Sequence, residues 1–152
     1  MARDALTVRT ALGPVRIRYT ARGITGIHLG AGGASPTAPV FVRRFAAQLE
    51  RYAAGQAVRF TVPLDLSGST PFQRAVWAAL RRIPYGETRT YAWLARQVKR
   101  PRAVRAAGAA CGANPLPILI PCHRILRSDG SLGGFSAGLP WKRKLLALEA
   151  PS

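Results

Sequence analysis

Alternating apolar and polar positions mark the first third of this chain. The alternation over residues 15–19 predicts one strand, and residues 24–27 predict a second strand after a glycine turn. Residues 30–39 are small and contain glycine and proline, which predicts a loop. Apolar residues at helical spacing predict an amphipathic helix over residues 40–54, and the alternation over residues 58–62 predicts a third strand.

From residue 70 the apolar spacing becomes helical. Thr70 is a favoured N-cap, Pro71 suits the first helical position, and Gln73 completes a capping box. The helix that they begin is predicted to bury a stripe formed by Phe72, Val76, Trp77 and Leu80. Thr90 is the predicted N-cap of a second, shorter helix that ends near Val98.

A third helix is predicted from Pro101 to about residue 112, and with the preceding helix it has the layout of a helix-turn-helix. Helical spacing predicts that one face packs inward through Val104, Ala107, Gly108 and Cys111. The opposite face carries Arg102, Arg105, Ala106 and Ala109. Solvated faces usually mix acidic and basic side chains, so arginine with alanine favours contact with a nucleic-acid backbone. An ordinary phosphate contact or a solvated face is the alternative for these arginines.

The chain then approaches its most informative segment. Residues 114–117 contain two prolines and predict a rigid connector. The apolar run at 118–120 predicts a buried strand that leads to Cys122. Glycines predict a loop over residues 133–138, and the leucines beyond it predict a last helix over residues 139–150.

Composition places the chain among folded α/β proteins. Its 152 residues are 48% hydrophobic, which excludes global disorder. A serine- and glycine-containing stretch at 67–69 predicts two lobes, residues 1–68 and residues 69–152. No apolar run is long enough for a membrane helix, and the N-terminus lacks the apolar core of a signal peptide. With two cysteines no disulfide framework is expected, so the cytoplasm is the predicted compartment.

Net charge narrows the class of partner. The chain has 23 basic and 6 acidic residues, which gives a formal charge of +17. Between Glu87 and Asp129 no acidic residue interrupts the eight basic ones, Arg89, Arg96, Lys99, Arg100, Arg102, Arg105, Arg124 and Arg127. Such a field suits a polyanion, and nucleic acid is the expected partner. A biased genome or heat adaptation is the alternative reading of the charge.

Cys122 is the candidate nucleophile. It stands in the tetrapeptide Pro-Cys-His-Arg, beside His123 and Arg124. Basic neighbours favour the thiolate, which is the reactive form of cysteine. The other cysteine, Cys111, falls on the predicted inward face of its helix and is interpreted as a small core residue.

The run from Asn114 to Arg124 resembles the active-site signature of the O6-alkylguanine-DNA alkyltransferases. The similarity extends from about Thr70 to Glu149, through the segments 84–88, 102–108, 133–136 and 145–149. The first lobe is similar only in length and in its strand and helix layout. The resemblance implies a small ribonuclease-H-like first lobe and a mostly helical second lobe with a winged-helix-like helix-turn-helix.

The resemblance also implies a set of chemical roles. Cys122 would accept the alkyl group, and His123 would generate the thiolate through a water. Glu149 would orient the imidazole, and Asn114 would brace the turn that presents the cysteine. Because adjacent side chains on an extended segment point in opposite directions, a water or a bend between Cys122 and His123 is expected.

A further set of residues is implied to handle DNA. Arg105 would enter the duplex in place of the extruded base, and Tyr91 would help to rotate the nucleotide. The other implied DNA contacts are Arg102, Ala106 and Thr90. The implied base pocket is formed by Phe135, Ser136, Ile125 and Tyr91. Family members commonly have tyrosine where Phe135 stands and asparagine where Gly134 stands, so the pocket differs here.

The implied activity is irreversible transfer of the alkyl group of O6-alkylguanine to the protein's own cysteine, once per molecule. The implied partner is double-stranded DNA, contacted in its minor groove by a monomer, with no metal, no organic cofactor and no membrane. The two alternative classes of protein are a lesion-binding relative and a thiol hydrolase. A lesion-binding relative without transfer would have the cysteine replaced, and a thiol hydrolase would have no use for the charge or the helix-turn-helix.

Overall fold

The structure, a computed structural model, describes residues 5–33 and 37–151. The chain divides into two compact units, Met1–Leu66 and Ser67–Ser152. The first unit contains strands β1 (Ala5–Thr10), β2 (Gly13–Thr20) and β3 (Gly23–Leu29) and helix α1 (Val40–Ala53). The second contains α2 (Pro71–Leu80), β4 (Arg89–Thr90), α3 (Tyr91–Gln97), α4 (Val104–Gly112), β5 (Ile125–Leu126) and α5 (Leu139–Glu149). The predicted mixed class of helix and sheet is confirmed, whereas part of the predicted loop at 30–39 lies outside the described residues.

In the first unit an antiparallel sheet has the strand order β1-β2-β3. Strands β2 and β3 and helix α1 lie where the apolar pattern predicts them. The sheet buries Val15 and Ile17 of β2, which is the alternation that the sequence displays, and Ile24 and Ile27 of β3. Strand β1, which buries Ala5 and Val8, lies outside the predicted strands.

The predicted strand over residues 58–62 is wrong. The segment buries Val62 and packs Phe60 against Phe45 and Tyr52. It forms no ladder, however, and the sheet gains only an isolated parallel bridge between Ile24 and the later Leu64. Pro63 has no backbone N–H to donate, so alternation of side chains here reports packing rather than strand pairing.

Helix α2 begins as the capping residues predict. The Thr70 hydroxyl accepts a hydrogen bond from the Gln73 backbone N–H at 3.1 Å, and the Gln73 side chain accepts one from the Thr70 N–H at 3.0 Å. Val76, Trp77 and Leu80 are buried as expected. Trp77 also donates its indole N–H to the Ala110 carbonyl at 2.8 Å, which ties α2 to α4.

Helices α3 and α4 form the predicted pair. Thr90 caps α3 by accepting a hydrogen bond from the Trp93 N–H at 3.1 Å. Helix α4 begins at Val104, three residues later than Pro101, because residues 101–103 form a turn. Ala107 and Cys111 pack inward as predicted, but the inward position expected for Val104 is wrong, since this residue lies in the first turn and is 37% exposed.

One feature near the cysteine differs from the prediction, and a second agrees with it. The apolar run 118–120 is buried but forms a tight turn instead of a strand, with Ile118 at φ 78° and the Ile120 N–H bonded to the Leu116 carbonyl at 2.8 Å. A short apolar run has no period that separates strand from turn. Cys122 and His123 lie in a 3₁₀ turn, Cys122–Arg124, and not in an extended segment, which matches the bend that is one of the two expected alternatives. After it, β5 pairs in parallel with β4.

The length and apolar character of the described helices bear on whether one of them could cross a membrane. No helix within residues 5–33 and 37–151 combines the length and the apolar character that crossing a bilayer requires.

The capping box of α2 gives a direct stability test. Replacing Thr70 by Ala removes the hydroxyl acceptor and should lower the free energy of unfolding of the second unit by about 1 kcal/mol. All the tryptophans, Trp77, Trp93 and Trp141, lie in that unit, so their fluorescence during urea denaturation reports on it alone. Thr70→Ser keeps the hydroxyl and is the matched control. An equal loss in both variants would contradict the capping role.

Candidate active site

Asn114 fixes the turn that presents Cys122. Its side-chain amide donates to the Ile120 carbonyl at 2.7 Å and to the Cys122 sulfur at 3.1 Å. Its side-chain oxygen accepts a hydrogen bond from the Leu116 N–H at 2.8 Å. One buried amide therefore closes both ends of the turn and also contacts the nucleophile.

His123 lies beside the cysteine in the chain but makes its hydrogen bond elsewhere. Its Nε2 is 2.7 Å from a carboxylate oxygen of Glu149, the last residue of α5, and both side chains are buried. Arg124 donates to the two oxygens of the same carboxylate, at 2.8 and 2.9 Å, and to the Ile83 carbonyl at 2.7 Å. The buried negative charge of Glu149 is thus balanced by a bidentate arginine.

The imidazole of His123 is set up as a neutral base. Burial lowers the pKa of His123 below its usual range, although the hydrogen bond and charge of Glu149 act in the opposite direction. A neutral ring that donates from Nε2 to Glu149 keeps a free lone pair on Nδ1. This Nδ1 is buried and has no hydrogen-bond partner among the described residues, so it is available to accept a proton.

A second thiol lies against the first. Cys111 of α4 is buried, and its thiol donates a hydrogen bond to the sulfur of Cys122. This bond is the largest cause that lowers the pKa of Cys122, while burial opposes it and the Asn114 amide and the Lys142 charge lower it further. The same bond raises the pKa of Cys111. Because Asn114 donates to Cys122, the negative charge belongs on Cys122.

Lys142 supplies a positive charge that lowers the pKa of both cysteines, and it is fully buried. Its ammonium donates to the carbonyls of Ile125, at 2.7 Å, of Leu132, and of Gly134, at 3.2 Å. Burial lowers the pKa of Lys142, and the two cysteines act in the opposite direction. The lysine ties α5 to β5 and to the glycine loop with charged hydrogen bonds, which fixes one wall of the site.

A cavity of about 630 Å³ opens next to Cys122. Of the predicted site residues it is lined by Cys122, Arg105, Tyr91, Phe135 and Ser136. The remaining lining residues are Val104, Gly108, Cys111, Gly112, Arg127, Gly133 and Gly134. The implied acceptor, base-pocket residues and arginine therefore meet around one space. Its volume falls in the range of small-molecule sites.

Tyr91 is held between two glycines. An added Cβ on Gly133 would lie 2.9 Å from the tyrosine hydroxyl, and one on Gly108 would lie 3.7 Å from the ring. Gly133 also has φ 70°, which side-chain-bearing residues rarely adopt. Burial raises the pKa of Tyr91, so the phenol keeps its proton at neutral pH. Position 133 therefore requires glycine, since any side chain there would displace Tyr91.

The other predicted residues lie outside the cavity lining. Arg102 and Ala106 are exposed beside Arg105, on the α4 face that the spacing predicts. Thr90 caps α3, and Ile125 is fully buried in β5, where its carbonyl accepts from Lys142. Asn114 contacts the Cys122 sulfur, and His123, the next residue in the chain, bonds to Glu149. Among the described residues, no group of three or more histidine, cysteine or acidic side chains could hold a metal ion.

Sequence reasoning missed four contributors to the site. They are Arg124 as the partner of Glu149, Lys142, Cys111, and Arg127 at the exposed edge of the cavity. Only Cys111 carried a usable signal, because cysteine is scarce and this one sits on the inward face of α4. A buried cysteine of lowered pKa, beside a neutral histidine and a cavity edged by arginines, defines a protein that performs nucleophilic chemistry at cysteine.

Comparison with known proteins identifies the family. The model of the 6-O-methylguanine DNA methyltransferase DNA-binding domain matches residues 71–151. The methylated-DNA–protein-cysteine methyltransferase of Mycolicibacterium paratuberculosis is 52% identical over 102 residues, 67% of this chain and 61% of that protein. Its namesake from Methanosarcina barkeri is 50% identical over 109 residues, 72% of this chain and 68% of that protein.

Structural similarity extends over both units. Mycobacterium tuberculosis OGT, solved in complex with DNA, matches with a TM-score of 0.85 and 38% identity, over 98% of this chain and 96% of that chain. The chain belongs to the methylated-DNA–protein-cysteine methyltransferase family. In the sequence alignment it spans 61% of the length of the Mycolicibacterium relative. The ribonuclease-H-like and winged-helix-like descriptions of its two lobes stay predictions.

The hydrogen bond from Asn114 to Cys122 yields a pH test. Asn114→Ala removes a donor to the thiolate, so the pKa of Cys122 should rise and the midpoint of iodoacetamide labelling should move to higher pH. At neutral pH the labelling rate of Cys122 should fall by about tenfold or more, the effect expected for a lost hydrogen bond to a charged group. Peptide mapping separates Cys122 from Cys111. Asn114→Asp, which keeps the acceptor for Leu116 and loses the donor, should shift the curve in the same direction. A folded Asn114→Ala protein with an unchanged curve would refute the assignment.

Proposed function

We propose that this protein repairs DNA by moving the alkyl group of O6-alkylguanine onto Cys122. The observation that carries the proposal is a cysteine of lowered pKa that lines one cavity together with the exposed Arg105 and is followed in the chain by a buried, neutral histidine. The names of its relatives support the same chemistry. The proposed substrate is double-stranded DNA that carries the lesion.

The thiolate forms by proton transfer to His123. The Nδ1 lone pair takes the proton of Cys122 through a water, and Glu149 stabilises the resulting imidazolium through Nε2. Arg124 keeps the Glu149 carboxylate ionised and oriented. The hydrogen bonds from Cys111 and Asn114 then hold the negative charge on the Cys122 sulfur.

Transfer is an in-line displacement at the alkyl carbon. A carbon–sulfur bond forms at Cys122 while the bond between the alkyl carbon and O6 breaks, and the guanine leaves with the electron pair and takes up a proton. Tyr91, a protonated phenol in the cavity wall, can donate a hydrogen bond to that base. The thioether product has no hydrolytic route back to a thiol, so each molecule acts once.

DNA binding is assigned to the exposed face of α4. Arg102, Arg105 and Ala106 lie on this face, and small side chains there suit the narrow minor groove. The alkyl carbon is hidden in the base stack, so the nucleotide must be extruded before it can reach the cavity. Arg105 lines the cavity from the same helix and is proposed to fill the space left by the base.

The remaining assignments follow from this scheme. Residues 69–152 would carry both DNA binding and chemistry, and residues 1–68 would support them. The protein performs the proposed transfer as a monomer. The transfer uses neither a metal nor an organic cofactor. A free thiol acceptor needs a reducing compartment, so the cytoplasm is the proposed location.

Intact-protein mass spectrometry tests the proposal. After incubation with duplex DNA containing one O6-methylguanine, the protein should gain the mass of one methyl group, saturating at one per molecule and mapping to Cys122. Cys122→Ser should bind the same DNA and gain nothing. Tight binding without a mass gain in the unchanged protein would indicate a lesion sensor. Repeated turnover of a model ester would indicate a thiol hydrolase.

Arg105 is tested by comparing substrates. Arg105→Ala should slow methyl transfer from duplex DNA by about tenfold or more, because base extrusion costs a few kcal/mol, and should leave transfer from free O6-methylguanine nearly unchanged. Arg102→Ala is the matched control on the same face and should weaken duplex binding while reducing its salt dependence by about one phosphate contact. Equal losses of Arg105→Ala on both substrates would exclude the extrusion role.

A further inference from the structure

The proposed reaction uses one thiol, yet the site holds two. Cys111 and Cys122 are the only cysteines of the chain, and both are free. They come from different segments, α4 and the 3₁₀ turn, and both line the same cavity. Each thiol shifts the pKa of the other through a side-chain hydrogen bond, and both side chains line one cavity, so the two sulfur atoms are neighbours.

The surroundings of the pair favour oxidation of Cys122 first. Asn114 donates a hydrogen bond to its sulfur, whereas Cys111 is the donor within the pair. Thiolate character directs oxidants to Cys122. Small oxidants can enter, because the exposed side chains of Arg105 and Arg127 border the cavity and open it to solvent. Cys111 is then the thiol in contact with the oxidised sulfur.

We propose that Cys111 is a resolving thiol, which closes an intramolecular disulfide with Cys122 when the protein meets hydrogen peroxide. The Cys122 thiolate attacks one peroxide oxygen, so a sulfur–oxygen bond forms, the oxygen–oxygen bond breaks and hydroxide leaves. Cys111 then attacks the sulfenic sulfur; a sulfur–sulfur bond forms and the second oxygen leaves as water with the Cys111 proton. Two thiols and one peroxide become one disulfide and two waters.

The disulfide blocks transfer to Cys122 but protects the Cys122 sulfur from irreversible oxidation. A sulfenic acid without a neighbouring thiol is oxidised further to sulfinic acid, which ordinary thiol reductants do not reverse. The disulfide returns to two thiols on reduction. Oxidative closure would therefore be reversible, in contrast to the thioether of the repair reaction. The proposal that this disulfide forms does not depend on the proposed function. Only the effect of the disulfide on methyl transfer rests on that function.

The test compares the unchanged protein with Cys111→Ala and Cys111→Ser after a short exposure to hydrogen peroxide. Intact masses are measured without reductant, digests are mapped, and dithiothreitol is then added. The unchanged protein should lose two hydrogen atoms, yield a linked Cys111–Cys122 peptide and recover its original mass. Both variants should gain oxygen atoms at Cys122, and the fraction of free Cys122 recovered should be lower by about tenfold or more.

Two results would overturn the proposal. The first is oxygen gain at Cys122 in the unchanged protein at the rate seen in the variants. The second is a disulfide that links two molecules, visible as a doubled mass. Methyl transfer to the freshly reduced unchanged protein is measured in parallel. Disulfide formation in a protein that takes up no methyl group would leave this proposal standing and sink the proposed function.

Discussion

The buried carboxylate of Glu149 is the constraint on which the rest of the site depends. An isolated charge at this depth would be prohibitively unfavourable, so its oxygens must be bonded, and Arg124 and His123 bond them. Both partners belong to the turn that begins with Cys122. The buried charge of Glu149 therefore fixes three features of the site. They are the backbone of the turn that presents Cys122, the tautomer of His123 and the position of α5.

The turn before the cysteine shows how that position is maintained against strain. Ile118 is β-branched and has φ 78°, a conformation that such residues avoid. Burial of its side chain and the two-sided bonding of Asn114 hold the strained backbone in place. Glycine would relax the torsion but would lose the apolar contact and add freedom to the unfolded chain. The strain stays local because one amide bonds both ends of the turn.

Local signals predicted much of this architecture, and contacts distant in sequence supplied the remainder. The capping box at Thr70 and the cap at Thr90 each depend on residues no more than three positions apart, and the sequence around Cys122 indicated the candidate nucleophile. Lys142 escaped because lysine is rarely buried, and its partners at 125, 132 and 134 converge only after the chain folds. Short segments gave wrong predictions in both units, because neither the alternation at 58–62 nor the apolar run at 118–120 carries information about the partners of the segment.

The smallest sheet of the second unit has a mechanical consequence. Strands β4 and β5 are joined by just two residue pairs, Arg89 with Ile125 and Thr90 with Leu126. Tyr91 follows the first strand directly, and the 3₁₀ turn with Cys122 precedes the second. A force applied to the first turn of α3 is therefore transmitted through a few peptide units to the sulfur. The part of the cavity wall formed by Tyr91 and the Cys122 sulfur are therefore coupled through the backbone of this small sheet.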